Sequence, residues 1–151
     1  MMNNDELIEK FEQEDITLAS FQKRSLAYLI DEVLISVLFV FIIMDQVPSN
    51  LTNEQFIEFI NGFLVYIILL KVIYQTFFVW MYGASVGKIV MKIKIISTED
   101  LDKPSLFSAF NRGVFRVIGE IFFYLGFFWA FLNPKRETWH DKIAKTLVVN
   151  A

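Results

Sequence analysis

An apolar run of nineteen residues, Leu26 to Met44, carries two acids, Asp31 and Glu32, near its start. As a helix it is roughly 28 Å long, which matches the hydrocarbon layer of a bilayer. An aspartate held there opposes insertion by about 2.5–3.5 kcal/mol, so it requires a partner or a task. Arg24 stands at the entrance, seven residues before Asp31. Seven residues are two helical turns, so both side chains share one face, roughly 10 Å apart along the axis. Direct contact needs both side chains to bridge that gap, so a third group or a water is expected between them.

Composition agrees with a membrane setting. Hydrophobic residues make up 55% of the 151, aromatics 17% and charged residues 21%, with seventeen Phe. A soluble domain carries about 25% charged residues and far fewer aromatics. The expected class is an all-α membrane protein with one membrane domain, residues 21–151, behind an acidic arm, residues 1–20. Six of the seventeen acids fall in the first fifteen residues, so the net charge of −3 averages an acidic arm and a slightly basic remainder. Leu7, Ile8, Phe11 and Ile16 have loosely helical spacing there, consistent with a cytosolic helix or a solvated tail. The absence of Cys excludes disulfides, thiolate catalysis and Cys-based metal sites. No basic n-region precedes an apolar core, so no cleavable signal peptide is expected.

A second apolar segment runs from Ile60 to Tyr82, broken by Asn61, Lys71, Gln75 and Thr76 and closed by Trp80 and Tyr82 as an interfacial anchor. Lys23 and Arg24 precede the first segment and Lys88, Lys92 and Lys94 follow the second, while residues 45–59 hold three acids and no Lys or Arg. The positive-inside rule then puts the N-terminus and residues 83–112 in the cytoplasm, with the bacterial inner membrane as the expected location. The third apolar region, Leu106 to Leu132, leads into a tail with Lys135, Arg136, Lys142 and Lys145, and those charges oppose its export. Lys92 to Ile96 alternates like a half-buried strand and Thr146 to Val149 is β-branched, so the two are expected to pair in a small cytoplasmic two-stranded element. Pairing demands one side of the membrane. Residues 106–132 are therefore read as a re-entrant helix pair with its tip near Tyr124–Gly126, buried against the two transmembrane helices. One amphipathic surface helix followed by a full third span is the alternative.

Four ordered motifs resemble one family. The stretch Phe21-Gln-Lys-Arg24-Ser-Leu-Ala-Tyr-Leu-Ile-Asp31 resembles the first-helix signature of the RDD family, named for one arginine and two aspartates. Gly83-Ala-Ser-Val-Gly87-Lys88 with the following Lys92–Ile96 is similar to its glycine-lysine turn and strand. Arg112 and Arg116 fit its arginine pair, and Asn133 to Val149, with His140-Asp141, is similar to its C-terminal signature. The resemblance implies that the eponymous residues are Arg24, Asp31 and Asp141. It further implies a small polytopic membrane protein for which transport of poorly defined ligands has been proposed. Lys145 replaces the glycine usual before the threonine, which puts the turn into the last strand in question.

Each candidate residue has two readings. Asp31 is either an ion or proton site gated by Arg24, or an acceptor of hydrogen bonds from neighbouring helices while Arg24 pairs with Asp141 or phosphate. Glu32 projects about 100° from Asp31 toward the second segment. There Lys71 can neutralise Asp31 or Glu32, and Gln75, one turn on, extends a polar seam. Such a pair can carry function or merely fix helix register. Arg116 and Glu120, at i and i+4, form either a surface ion pair or a cavity wall. Asp141 either caps a short helix or clamps Arg24.

Gly83 to Lys88 is one residue short of a phosphate loop and Ile89 stands where Ser or Thr is needed, so the glycines are read as allowing a tight exit from helix to strand. His140 is the single histidine and has no Cys companion, so neither a metal site nor any cofactor is expected. No nucleophile motif appears, and an enzyme is not expected. The six basic residues between Lys88 and Arg116 point to anionic lipid headgroups rather than nucleic acid. The expected function is movement of a cation, proton or small solute by intramembrane carboxylates. The oligomer interface or a membrane partner would complete the pathway. The rival is a scaffold or assembly protein whose polar centre is structural.

Overall fold

The structure is a computed structural model that describes residues 4–121 and 139–151. It is mostly helical with one two-stranded antiparallel sheet. Helix α1 spans Asn4–Gln13 and α2 spans Phe21–Ile43, followed by a 3₁₀ turn at Met44–Gln46. Helix α2 starts five residues before the apolar run because Ser20 caps it, its hydroxyl accepting from the Lys23 amide at 3.3 Å. The second apolar segment, read as running from Ile60 to Tyr82, starts in the last residues of α3, Asn53–Gly62, and continues as a separate helix α4, Leu64–Tyr82. Thr52 and Gln55 close a reciprocal capping box that starts α3, and its end falls at Gly62, a poor helix former.

Gly83, at φ +67°, ends α4 and turns the chain into the short helix α5, Val86–Val90. Strand β1, Ile93–Ser97, pairs antiparallel with β2, Thr146–Asn150, with Ile95 opposite Val148. The two runs pair as expected. Lys92, expected inside the strand, instead adopts φ +53° and makes the turn before it. Lys145 adopts φ +51°, so the turn into β2 keeps the left-handed backbone a glycine would take, without the glycine. Helix α6, Leu106–Ile121, lies along α4, and α7, Trp139–Ile143, packs on α6. The proposed tip at Tyr124–Gly126 lies outside the described residues.

The end of the acidic arm is fixed rather than solvated. The Ala19 amide donates to the Val148 carbonyl at 3.0 Å and the Asn150 amide to the Thr17 carbonyl at 2.9 Å, so residues 17–19 line the free edge of β2. Phe11, Ile16 and Leu18 pack on Ile96, Leu147 and Val149. On the other side of the sheet Ile93, Ile95 and Val148 pack with Ala27, Val79 and Ala109, which binds the sheet to α2, α4 and α6.

Among the described residues two helices are long and apolar enough to cross a bilayer, Phe21–Gln46 with its 3₁₀ turn and Leu64–Tyr82. Only 22% and 17% of their apolar stretches are buried inside the protein. Val33, Phe41, Val65 and Ile73 are each more than three-fifths exposed. Core helices of soluble domains bury such residues. This outward apolar surface is that of a membrane protein.

Candidate functional site

Asp31 is fully buried where α2, α4 and α5 meet. Its Oδ1 accepts from the Tyr74 hydroxyl and the Gly87 amide, both at 2.8 Å, and its Oδ2 from the Ser85 hydroxyl at 2.6 Å. The Arg116 guanidinium lies 3.6 Å from Oδ2. Tyr74 in turn accepts from the Val86 amide at 3.1 Å. The carboxylate therefore ties the start of α5 to α2 and α4. The reading in which Arg24 gates Asp31 finds no ion pair or hydrogen bond between the two.

Arg24 instead pairs with Asp141, as one of the two readings had it, and Arg112 pairs with the other oxygen of the same carboxylate. Arg112 also donates to the Thr146 hydroxyl at 2.7 Å. All three charged groups are buried. An Arg–Asp–Arg clamp of this kind joins the entrance of α2 and the middle of α6 to α7, and the Arg112–Thr146 bond adds the start of β2.

A third set forms a seam between α2, α4 and α6. Lys71 Nζ donates to Glu32 at 2.8 Å and to Glu120 at 2.7 Å. It does not reach Asp31. Arg116 stands 3.5 Å from Glu120 and 3.8 Å from Glu32, donates to the Gln75 side-chain oxygen, and lies 4.7 Å over the Tyr28 ring. The Arg116–Glu120 pair is thus interior, not a surface pair. Glu32 is 25% exposed and Lys71 19%, which sets the seam apart from the sealed aspartates. A cavity of about 10 Å³, room for one water, is lined by Glu32, Lys71, Gln75, Arg116 and Glu120 among others. Glu32 Oε1, Gln75 Nε2 and one Arg116 nitrogen have no hydrogen-bond partner among the described residues. A wider groove of about 990 Å³ between the end of α2 and α3–α4 is lined mostly by apolar side chains such as Phe39, Ile42 and Phe59, far from this chemistry.

Gly83 and Gly87 have different tasks. Gly83 takes the left-handed turn, as expected. Gly87 does not serve the exit: a Cβ there would collide with the Ala27 carbonyl and come 2.9 Å from Asp31 Oδ1. Its hydrogen lets α5 touch the α2 backbone.

Lys88, expected only to follow the turn, is buried with the aspartates. Burial, reinforced by the positive charges of Arg112 and Arg116, holds its amine well below the usual lysine range against the pull of Asp31 and Asp141. Ser85 and Lys88 stand at the i, i+3 spacing of a serine–lysine nucleophile pair. Yet Ser85 has no exposure and gives its proton to Asp31, while Lys88 Nζ sits 3.5 Å from the Ser85 oxygen. Among the described residues no group of three or more His, Cys, Asp and Glu could hold a metal ion.

Sequence reasoning missed Tyr74, Ser85, Thr146 and Tyr28. The signal for Ser85 was present: a serine three residues before a lysine, between two glycines, opens a short helix that needs an N-terminal acceptor. Nothing in the pattern of α4 marked Tyr74 among its other aromatics.

A protein of Rickettsia prowazekii (strain Madrid E), itself uncharacterized, is 25% identical over 119 residues. These make up 71% of this chain and 66% of that protein, so the match spans just under two thirds of the relative. No solved structure matches. The RDD family profile matches residues 18–145, from the sheet-edge segment to the turn before β2. With most of the chain matched, this protein belongs to the RDD family.

Proposed function

We propose that the chain is a small multi-pass protein of the bacterial inner membrane that moves a proton or small cation along the Glu32–Lys71–Glu120 seam. The observation that carries this reading is the depth of the seam. Glu32 lies eleven residues into α2 and Lys71 eleven residues before the end of α4, about 16 Å from the sheet-bearing end on either count. Counted from the start of the apolar run at Leu26 the depth of Glu32 is roughly 9 Å, so on either measure the seam lies inside a bilayer's hydrocarbon, where ionised groups mark ion pathways. In this reading Asp31 and Asp141 are anchors rather than ion sites, since donors and guanidinium groups already occupy them.

Lys92, Lys94, Lys103 and Lys142 are exposed on or near the sheet. They support a cytoplasmic placement of both chain ends and contact with anionic headgroups, without nucleic acid. Among the described residues two apolar helices and α6 are too few to enclose a path, and a second copy or a membrane partner is the proposed source of the other wall. No bond-making chemistry is assigned: the reading is non-enzymatic, supported by the inward-facing, proton-donating Ser85.

Proton and cation flux in proteoliposomes tests the proposal. Wild-type protein should carry flux, and Glu32→Gln and Glu120→Gln should abolish it while remaining folded. Flux unchanged in both variants sinks the seam as a path. One observation favours the assembly reading: among the described residues each carboxylate of the centre already has a cation against it. That reading predicts a stoichiometric partner on purification from native membranes and no flux.

A further inference from the structure

We propose that Lys88 is the proton-exchanging group of the polar centre, standing as an uncharged amine at neutral pH and binding a proton from solvent to become the fifth positive charge of the cluster. The inference starts from charge and distance. Arg24 and Arg112 share Asp141, Lys71 bridges Glu32 and Glu120, and Arg116 faces Asp31, Glu32 and Glu120. Among the described residues four cations thus face four carboxylates. Lys88 is a fifth basic group inside the same volume, and among the described residues it forms no ion pair within 4 Å; its one hydrogen bond there is the long contact with Ser85. A buried ammonium without a counterion is strongly disfavoured, whereas a buried amine is not.

The surroundings reinforce this. Asp31 from α2, Arg112 and Arg116 from α6 and Asp141 from α7 act on Lys88, and burial together with the two arginines outweighs the two aspartates. Tyr74 of α4 and Arg24 of α2 stand behind these, on Asp31 and Asp141. On gaining a proton, Lys88 would compete with Arg112 and Arg116 for the two aspartates that hold α5 and α7 in place. A proton at this one nitrogen therefore bears on both anchors at once, which neither aspartate does alone. The inference goes beyond the proposed function, since Lys88 stands with the sealed aspartates rather than in the seam, and it holds or fails without any transport.

The test is solid-state NMR of full-length protein in lipid vesicles with all ten lysines labelled at Nζ. One resonance should lie in the amine range at pH 7.5, move to the ammonium range on acidification, and vanish in Lys88→Met. Ten ammonium signals at pH 7.5, or an amine signal that survives in Lys88→Met, overturn the proposal. Variant stability gives a second reading. Lys88→Met should keep the wild-type melting temperature within a few degrees, because one neutral side chain replaces another. Lys88→Arg, which is permanently charged, should lose the fold. Tolerance of Arg with loss of the fold in Met would refute it independently of the spectra.

Discussion

Asp31 and Glu32 are neighbours in the chain and opposites in circumstance. Asp31 is sealed, with three short hydrogen bonds from a tyrosine, a serine and a backbone amide. Glu32 faces the next sector of the helix, a quarter exposed, held by Lys71 and beside a water-sized cavity with unpartnered polar atoms. One residue of offset, about 100° of rotation, separates a joint from a candidate pathway. The lesson is that an acid in an apolar helix is not one kind of object. Where its lone pairs are filled by groups from several elements it holds the fold, and where its partners are other charges with space beside them it is free to act.

Sealed and semi-open groups should respond differently to substitution. The largest effect belongs to Asp141→Ala, which takes away the buried carboxylate that Arg24 and Arg112 share. It should cost about 3–5 kcal/mol and show as loss of folded protein in membranes. Gly87→Ala drives a methyl into the α2 backbone; unfolding in mild detergent should show a loss of about 1–3 kcal/mol. Glu32→Gln, on the semi-open side, should cost only about 1 kcal/mol while changing flux. If it instead matched Asp141→Ala in stability, the distinction between joint and pathway would be lost.

The smallest effect is at the turn before β2. Lys145→Gly should be more stable than Lys145→Ala by about 1 kcal/mol, since only glycine relaxes at φ +51°. Equal melting temperatures for the pair would mean that the turn carries no strain. Stability should also depend on pH through Lys88. Its folded value lies below its unfolded value of 10.5, so between the two the unfolded chain binds more protons. Stability should therefore rise with pH across that window, and fall less steeply on acidification in Lys88→Met.

The sequence by itself determined the two long apolar helices, the strand pair and the charged residues of the polar centre. These follow from hydropathy, alternation and charge placement, which act locally along the chain. The break at Phe63 was less legible, because the apolar pattern runs through it and only the capping box upstream marks a separate helix. Residues 17–19 were read as part of an arm because polarity says nothing about a sheet edge that must be covered from elsewhere. Only the tertiary structure decided which cation meets which carboxylate. Arg24 could share a helix face with Asp31 and still go to Asp141, because the start of α5 reaches Asp31 first and fills it with neutral donors. Partner choice among buried charges is a competition between elements far apart in sequence, won by whichever can approach closely enough. Here a glycine hydrogen at position 87 settles that approach.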